Sequence, residues 1–385
     1  MKKNMRGLTC AILSISLLTV MAGAAMAPAL GVIKNHFAGC SPMTVQLIVS
    51  LPALFIILTT FAFRPLCRLM QTRTLALTGL TLYVVAGAGA FFVDNIVWLL
   101  VLRALLGVSV GTIMPLSTGL LSYYFPPEEQ SRLMGLSAAM NQMGGVVATM
   151  LAGVLATVSW RCAFLVYLAG LAAVVLVATM LPNERLASKG SRLHVRTLLR
   201  FHPSVTAMFL IMLLFFVYPT NFALTASAFG VPPMAVTLIM VGLDVVAFFV
   251  GLSFGWLMRH MRRQMKYVAP LFFMAGYGVL AFVDGVAGMI AGSVLIGLAN
   301  GAGVPYVNTI ASIKGGRDAA VTVMPLISAA LYLGQFLSPL VVTPLADAIG
   351  GVRSPYVVAT GFAVILLLQV FLTRRHHALP PSSDK

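Results

Sequence analysis

The chain has 385 residues, of which 60% are hydrophobic and only 9% charged, and its mean hydropathy is +0.99. Soluble domains carry about 25% charged residues, so this composition excludes a water-soluble protein and predicts one whose outer solvent is lipid. The net charge of +16 does not indicate nucleic-acid binding, because Lys and Arg lie in short clusters between apolar runs. The four cysteines have no metal or redox spacing, and neither a metal nor a cofactor is predicted.

The first apolar run, from Leu8 to about Ile33, follows a basic start and partly resembles a secretory signal. A signal core has about 7–15 apolar residues, whereas about 20 are needed to cross a membrane. The length of the run therefore predicts a first membrane-spanning helix.

Eleven further runs of similar length follow, which we call spans 2 to 12. The twelve spans centre near residues 20, 52, 84, 110, 145, 172, 215, 246, 277, 300, 332 and 363. They predict an all-α integral membrane protein with a six-helix bundle over residues 1–182, a cytoplasmic link over 183–203, a second bundle over 204–373 and a tail over 374–385.

The basic residues predict the orientation. With the N-terminus inside, 21 of the 25 Lys and Arg residues fall in inner segments and 3 in outer links. This asymmetry is the positive-inside signal. It predicts a multi-pass protein of the cell (inner or plasma) membrane with both termini in the cytoplasm.

An internal repeat relates the two halves. A shift of about 190 residues aligns "FFVDNIVWLLVLRALLGVSVGTIMP" with "AFVDGVAGMIAGSVLIGLANGAGVP", and a shift of 192 places Arg161 on Arg353. The first alignment superposes Asp94, Gly107, Gly111 and Pro115 on Asp284, Gly297, Gly301 and Pro305. Two parallel repeats of this kind are one of the known plans of secondary transporters.

Three motifs, in this order, resemble those of the major facilitator superfamily. They are "LVLRALLGVSVG" in span 4, "YYFPPEEQSRLMGLSAAMNQMGG" leading into span 5, and "SWRCAFLV" at the start of span 6. The resemblance covers nearly the whole chain. It implies two pseudo-symmetric six-helix bundles, alternating access, and a central cavity lined by spans 1, 4, 7 and 10.

The chain departs from the family pattern at its cytoplasmic gate. In the link between spans 2 and 3, Arg68 stands where the family carries an acid, and Arg259 stands at the corresponding position of the second half. Span 5 has Ala148 and Thr149 where proton-driven drug exporters carry a glycine-proline pair. These departures put the family's charge relay in doubt and weaken an exporter interpretation without excluding it.

Asp244 is the acidic residue that falls about ten residues into a span, in "TLIMVGLDVVAFFVGLSFGWL". That is roughly 15 Å from the helix end, near the midplane of a core about 30 Å thick. It is either kept neutral by desolvation or faces a wet cavity and pairs with a cation such as Arg103. Its functional role would be proton coupling; the alternative is a polar contact between helices.

Arg103 is the one basic residue inside a span, about 10 Å from the outer end of span 4. The resemblance implies that it assists proton or substrate handling. Alternatively, it fixes span 4 to neighbouring carbonyl groups.

Polar side chains within the spans are candidate substrate contacts or interhelical hydrogen bonds. The candidates are Tyr218, Asn221, Asn300, Tyr306, Asn308, Asn141, Gln142, Tyr332 and Gln335. Gly107, Gly111, Gly297 and Gly301 are predicted to let helices pack closely and slide, and Arg68 and Arg259 are gating candidates.

The sequence thus predicts a secondary transporter of a small organic solute. It is expected to be coupled to protons and to work as a monomer in the lipid bilayer. A largely apolar cavity favours efflux of an amphiphilic compound, and the alternative is uptake or exchange of a small organic anion held by Arg103. A membrane-embedded enzyme would need a cluster of catalytic side chains in one layer, which the spans do not provide. The protein is therefore predicted not to be an enzyme. No nucleotide-binding motif of the G-x-x-x-x-G-K-[ST] type is present, so ATP drive is not predicted either.

Overall fold

The computed structural model describes residues 2–125, 127–184, 195–261, 264–315 and 323–373. These residues are largely α-helical and contain no strand. The helices in the first half are Lys2–Ala24, Leu30–His36, Pro42–Leu69, Thr72–Ala88, Ile96–Tyr124, Pro127–Val158 and Gly170–Met180. Those in the second half are Val195–Ala228, Pro233–Met261, Met265–Phe282, Gly285–Gly315, Met324–Ile349 and Ser354–Leu372.

Twelve of these helical segments are long and apolar enough to cross a membrane, which confirms the predicted spans. Span 3 ends, and span 6 begins, in a short 3₁₀ helix, at Gly89–Phe92 and Cys162–Ala169 respectively. Span 7 begins at Val195, inside the link predicted over residues 183–203. The spans therefore account for nearly all of the helical structure.

Span 1 differs from its prediction as one helix from Leu8 to about Ile33. The helix ends at Ala24, and a separate short helix, Leu30–His36, follows a series of turns. Pro28 lies in the interruption and has no backbone N–H to donate to a preceding carbonyl. The membrane-crossing part is consequently Met5–Ala24.

The chain divides into two compact units. The first comprises Met1–Lys189 and Pro219–Val241, and the second comprises Gly190–Tyr218 and Gly242–Lys385. Span 7 thus contributes to both units, with the boundary after Tyr218.

Matching glycines pack span 4 on span 2 and span 10 on span 8. A Cβ atom placed on Gly107 would lie 2.4 Å from the carbonyl oxygen of Pro52, in the first unit. In the second unit, a Cβ atom on Gly301 would lie 2.6 Å from the carbonyl oxygen of Ala247. Both backbones approach closely because glycine has no side chain at these positions. The repeat seen in the sequence therefore corresponds to a repeated helix contact.

A second repeated feature is an ion pair in each unit. Arg161 at the start of span 6 lies 2.6 Å from Asp94, and Arg353 at the start of span 12 lies 2.7 Å from Asp284. In the first unit His36 also contacts Asp94, at 2.7 Å. The hydrogen bond from His36 and the nearby charge of Arg161 hold the pKa of Asp94 below its usual value.

Candidate transport site

Asp244 lies near the middle of span 8, in the helix Pro233–Met261. Its side chain is half-buried, and it interacts electrostatically with the hydroxyl group of Tyr218 in span 7. Both residues belong to the second unit. Two of the side chains that the sequence singled out thus lie in the same unit.

Tyr218 is only 2% exposed, and its hydroxyl is 2.7 Å from that of Ser293 in span 10. Ser293 is 1% exposed and donates to the carbonyl oxygen of Met289, at 2.6 Å. These bonds link spans 7 and 10 through two buried hydroxyl groups. Ser293 was not among the residues that the sequence singled out.

Two more tyrosines complete this polar cluster in the second unit. The hydroxyl of Tyr277 in span 9 donates to the carbonyl oxygen of Leu214, at 2.5 Å. Its ring stacks on that of Tyr356 in span 12, with ring centres 6.2 Å apart. Span 7 is thus fixed around residues 214–218 by side chains of other spans.

Arg103 is fully buried within the first unit. Its guanidinium donates to the hydroxyl of Tyr167, at 2.9 Å, and to the carbonyl oxygen of Gly87, at 3.4 Å, while its Nε has no hydrogen-bond partner. The rings of Phe164 and Tyr167 lie 5.0 and 4.9 Å from the guanidinium carbon. Arg103 is therefore held by neutral oxygens and aromatic faces rather than by a carboxylate.

The tyrosine contacts of the two units correspond. In the first unit, the Tyr83 hydroxyl in span 3 donates to the carbonyl oxygen of Leu18 in span 1, as Tyr277 does to Leu214. Tyr167 donates to the carbonyl oxygen of Ala22. Sequence analysis missed these tyrosines, because the repeat offset of 190 that aligns Asp94 with Asp284 places Tyr83 on Phe273, four residues before Tyr277.

The remaining predicted polar residues are dispersed. Asn141 accepts a hydrogen bond from Thr19, and Asn221 accepts one from the buried Gln46. The Gln335 amide approaches the sulfur of Met212.

The other candidates differ in their burial. The Asn300 side-chain oxygen is buried and has no hydrogen-bond partner among the described residues. Tyr306 is buried, Asn308 and Tyr332 are half-buried, and Gln142 and Arg259 are exposed; the side chain of Arg68 lies outside the described part.

The described residues form twelve helical segments long and apolar enough to cross a membrane, and comparison with known proteins identifies the class. The profile of the Major Facilitator Superfamily matches residues 9–339. The chain belongs to this superfamily and is a multi-pass membrane transporter.

Solved structures share the fold at low sequence identity. A bacterial homologue of the human lysosomal transporter Spinster, in an inward-facing and unoccupied conformation, has a TM-score of 0.83 and 16% identity, with 99% of this chain and 100% of that chain covered. The nucleoside transporter NupG has a TM-score of 0.74 and 13% identity, with 96% and 99% covered. These likenesses define the fold and not the solute.

Curated relatives match only short segments. A probable anion transporter 4 of the chloroplast, from Arabidopsis thaliana, is 40% identical over 63 residues, or 16% of this chain and 12% of its own length. The niacin transporter NiaP from Acinetobacter baylyi is 31% identical over 95 residues, or 24% of this chain and 22% of its own length.

Proposed function

We propose that this chain moves a small organic solute across a membrane by alternating access and couples that movement to protons through Asp244. The observation that carries the proposal is a half-buried carboxyl group near the middle of a span. An ionised carboxylate in that position costs several kcal/mol, or about 2.5–3.5 kcal/mol on insertion scales. Its charge therefore responds to whether water reaches it, which changes as the protein alternates.

The distribution of Lys and Arg supports a location in the inner or plasma membrane of the cell, with both termini of the chain in the cytoplasm. The protein acts as a monomer in this proposal. Because the spans carry few charges, we favour an amphiphilic solute that leaves the cell.

The test uses reconstituted liposomes of the full chain and a library of amphiphilic and anionic solutes, first ranked by thermal shift. For a solute that stabilises the protein, we expect a pH gradient across the liposome membrane to drive accumulation of the solute inside the liposomes. This accumulation should occur for one direction of the gradient only. Asp244→Asn should retain solute exchange at equal pH and lose accumulation against a gradient. Gradient-driven accumulation by this variant would remove Asp244 from the coupling mechanism.

A second candidate function is uptake or exchange of a small organic anion. Within the described residues, the buried Arg103 guanidinium has no carboxylate partner, and two partial relatives are named as an anion transporter and a niacin transporter. A cation without a counter-ion favours a negatively charged ligand. Stabilisation by anionic solutes and not by neutral ones, lost in Arg103→Gln, would favour this candidate.

A further inference from the structure

Gly153 in span 5 forms a notch that holds Thr237 of span 8. A Cβ atom placed on Gly153 would lie 2.1 Å from the Cγ2 atom of Thr237, 2.2 Å from its Oγ1 and 2.7 Å from its Cβ. Thr237 is only 1% exposed, and its hydroxyl donates to the carbonyl oxygen of Pro233 at 2.9 Å. Because a β-branched side chain has few rotamers, and because its Cβ does not move with rotation, this contact requires a residue without a side chain at position 153. Both residues belong to the first unit.

Thr237 and Asp244 lie on the same face of one helix, Pro233–Met261. They are seven residues apart, which is two helical turns to within about 20°. Asp244 therefore lies about 10 Å farther along the helix axis than Thr237. Thr237 is nearer the start of the helix, which is the outer end in the proposed orientation. The notch thus covers the face that carries Asp244 on the outer side of this residue.

The outer end of span 7 packs on residues of the first half in a comparable way. A Cβ atom on Gly31 would lie 2.7 Å from the carbonyl oxygen of Ala223. The buried side chain of Gln46 in span 2 donates to that of Asn221 at 2.8 Å. The segment 219–241, which contains the outer ends of spans 7 and 8, therefore belongs to the first unit through contacts made by both spans.

We propose that the contact of Thr237 with Gly153 is an outer seal over Asp244. While this contact is formed, water from the outer side does not reach the carboxyl group; when it separates, the carboxyl group exchanges protons with that side. Since an ionised carboxylate within a span is costly without water, Gly153 and Thr237 act as positioning residues that decide from which side Asp244 takes up its proton. This inference rests on the proposed function of Asp244.

The test measures from which side of the membrane position 244 can be reached. Asp244→Cys is introduced into the full chain, and both intact cells and everted vesicles are treated with a membrane-impermeant thiol reagent. Peptide mapping distinguishes the label at position 244 from labels on the four native cysteines. The ratio of the two labelling rates reports access from the outer side relative to the inner side.

Gly153→Ala, added to Asp244→Cys, should favour the open form of the seal. Overpacking by one methyl group at so short a distance corresponds to a change of about 5- to 150-fold in the equilibrium between closed and open forms. We expect the labelling ratio to move toward the outer side by a factor in this range.

Two controls separate the seal from a general loss of stability. Adding Thr237→Gly to Gly153→Ala moves the missing side chain to the other helix and should restore the original ratio. Gly119→Ala in span 4 adds a Cβ atom that would meet nothing within 4 Å, and it should leave the ratio unchanged. Should the Asp244→Cys variants not fold, amide hydrogen exchange of residues 233–241 replaces labelling, with faster exchange expected in Gly153→Ala than in Gly119→Ala.

The outcomes distinguish the inference from the proposed function. An unchanged ratio in Gly153→Ala, or a shift that Thr237→Gly does not reverse, overturns the seal and leaves the role of Asp244 to the transport assay of Asp244→Asn. A shift that Thr237→Gly reverses supports the seal. If Asp244→Asn then still accumulates solute against a gradient, the proposed function fails and the contact is a gate without a role in proton coupling.

Discussion

The packing of span 4 on span 2 gives a prediction with a matched control in one helix. Gly107 and Gly119 both lie in the helix Ile96–Tyr124. A Cβ atom on Gly107 would be 2.4 Å from the Pro52 carbonyl oxygen and 2.8 Å from the Phe55 Cβ, whereas one on Gly119 would meet nothing within 4 Å. The substitution to alanine therefore has the same chemistry at both sites and a different packing consequence.

The magnitude follows from the distances. Ordinary contacts of a Cβ atom begin at 3.4 Å, so the two helices must separate by 1.0 Å near Gly107 to accept alanine. The nearest atom is backbone, which does not rotate away. Overpacking of this kind costs about 1–3 kcal/mol. Replacing a helical glycine by alanine also gains up to about 1 kcal/mol, and that gain is common to both variants.

We therefore expect Gly107→Ala to be less stable than Gly119→Ala by about 1–3 kcal/mol. The measurement is the free energy of unfolding in detergent, or the shift in Tm where unfolding is irreversible. In the second unit, Gly301→Ala, with its nearest contact at 2.6 Å, should fall between the two. Equal stability of the Gly107 and Gly119 variants would refute the claim that the missing side chain sets the distance between these helices.

Three further predictions concern polar contacts. Arg103→Lys should lower the free energy of unfolding by about 1–3 kcal/mol, because an ammonium does not reproduce the buried forked contacts; an unchanged Tm would contradict this. Gln46→Ala and Asn221→Ala should show a coupling of about 0.6 kcal/mol in a double-mutant cycle of unfolding, and additive effects would show that their 2.8 Å bond contributes nothing. Asp94 has a lowered pKa, so its stabilising contacts are present above about pH 4 and lost as the pH falls through that pKa. Asp94→Asn should therefore flatten the dependence of Tm on pH in this acid range, and an unaltered profile would exclude the contribution.

The spans and their pairing could be predicted because lipid imposes strong constraints on the sequence. A helix that crosses the membrane needs a long apolar run, and the twelve predicted runs coincide with the twelve segments of the described residues that are long and apolar enough to cross. The glycine alignment between the halves likewise indicated a repeated contact, since only small residues allow helix backbones to approach closely. These features depend on residue type and spacing alone.

The polar cluster around Tyr218 was harder to predict because its members come from different spans. Ser293 lies in an apolar helix, and nothing in its local sequence distinguishes it from a serine that bonds only its own backbone. Its contact with Tyr218 depends on how spans 7 and 10 pack. The interruption of span 1 was missed for a different reason: "MAGAAMAPALG" is apolar throughout, so hydropathy does not reveal where the backbone hydrogen bonds change at Pro28.

The two halves share a framework, and they differ at a buried position in spans 4 and 10. The ion pairs of Asp94 with Arg161 and of Asp284 with Arg353 have the same place in the repeat. The buried residue of span 4 is an arginine held by neutral groups, and its counterpart in span 10 is Ser293. An arginine keeps its charge at every physiological pH, so Arg103 does not itself take up or release a proton, and in the proposal above that role belongs to Asp244. The proposed coupling thus depends on Asp244 in the second unit, and loss of gradient-driven accumulation in Asp244→Asn is the measurement that tests it.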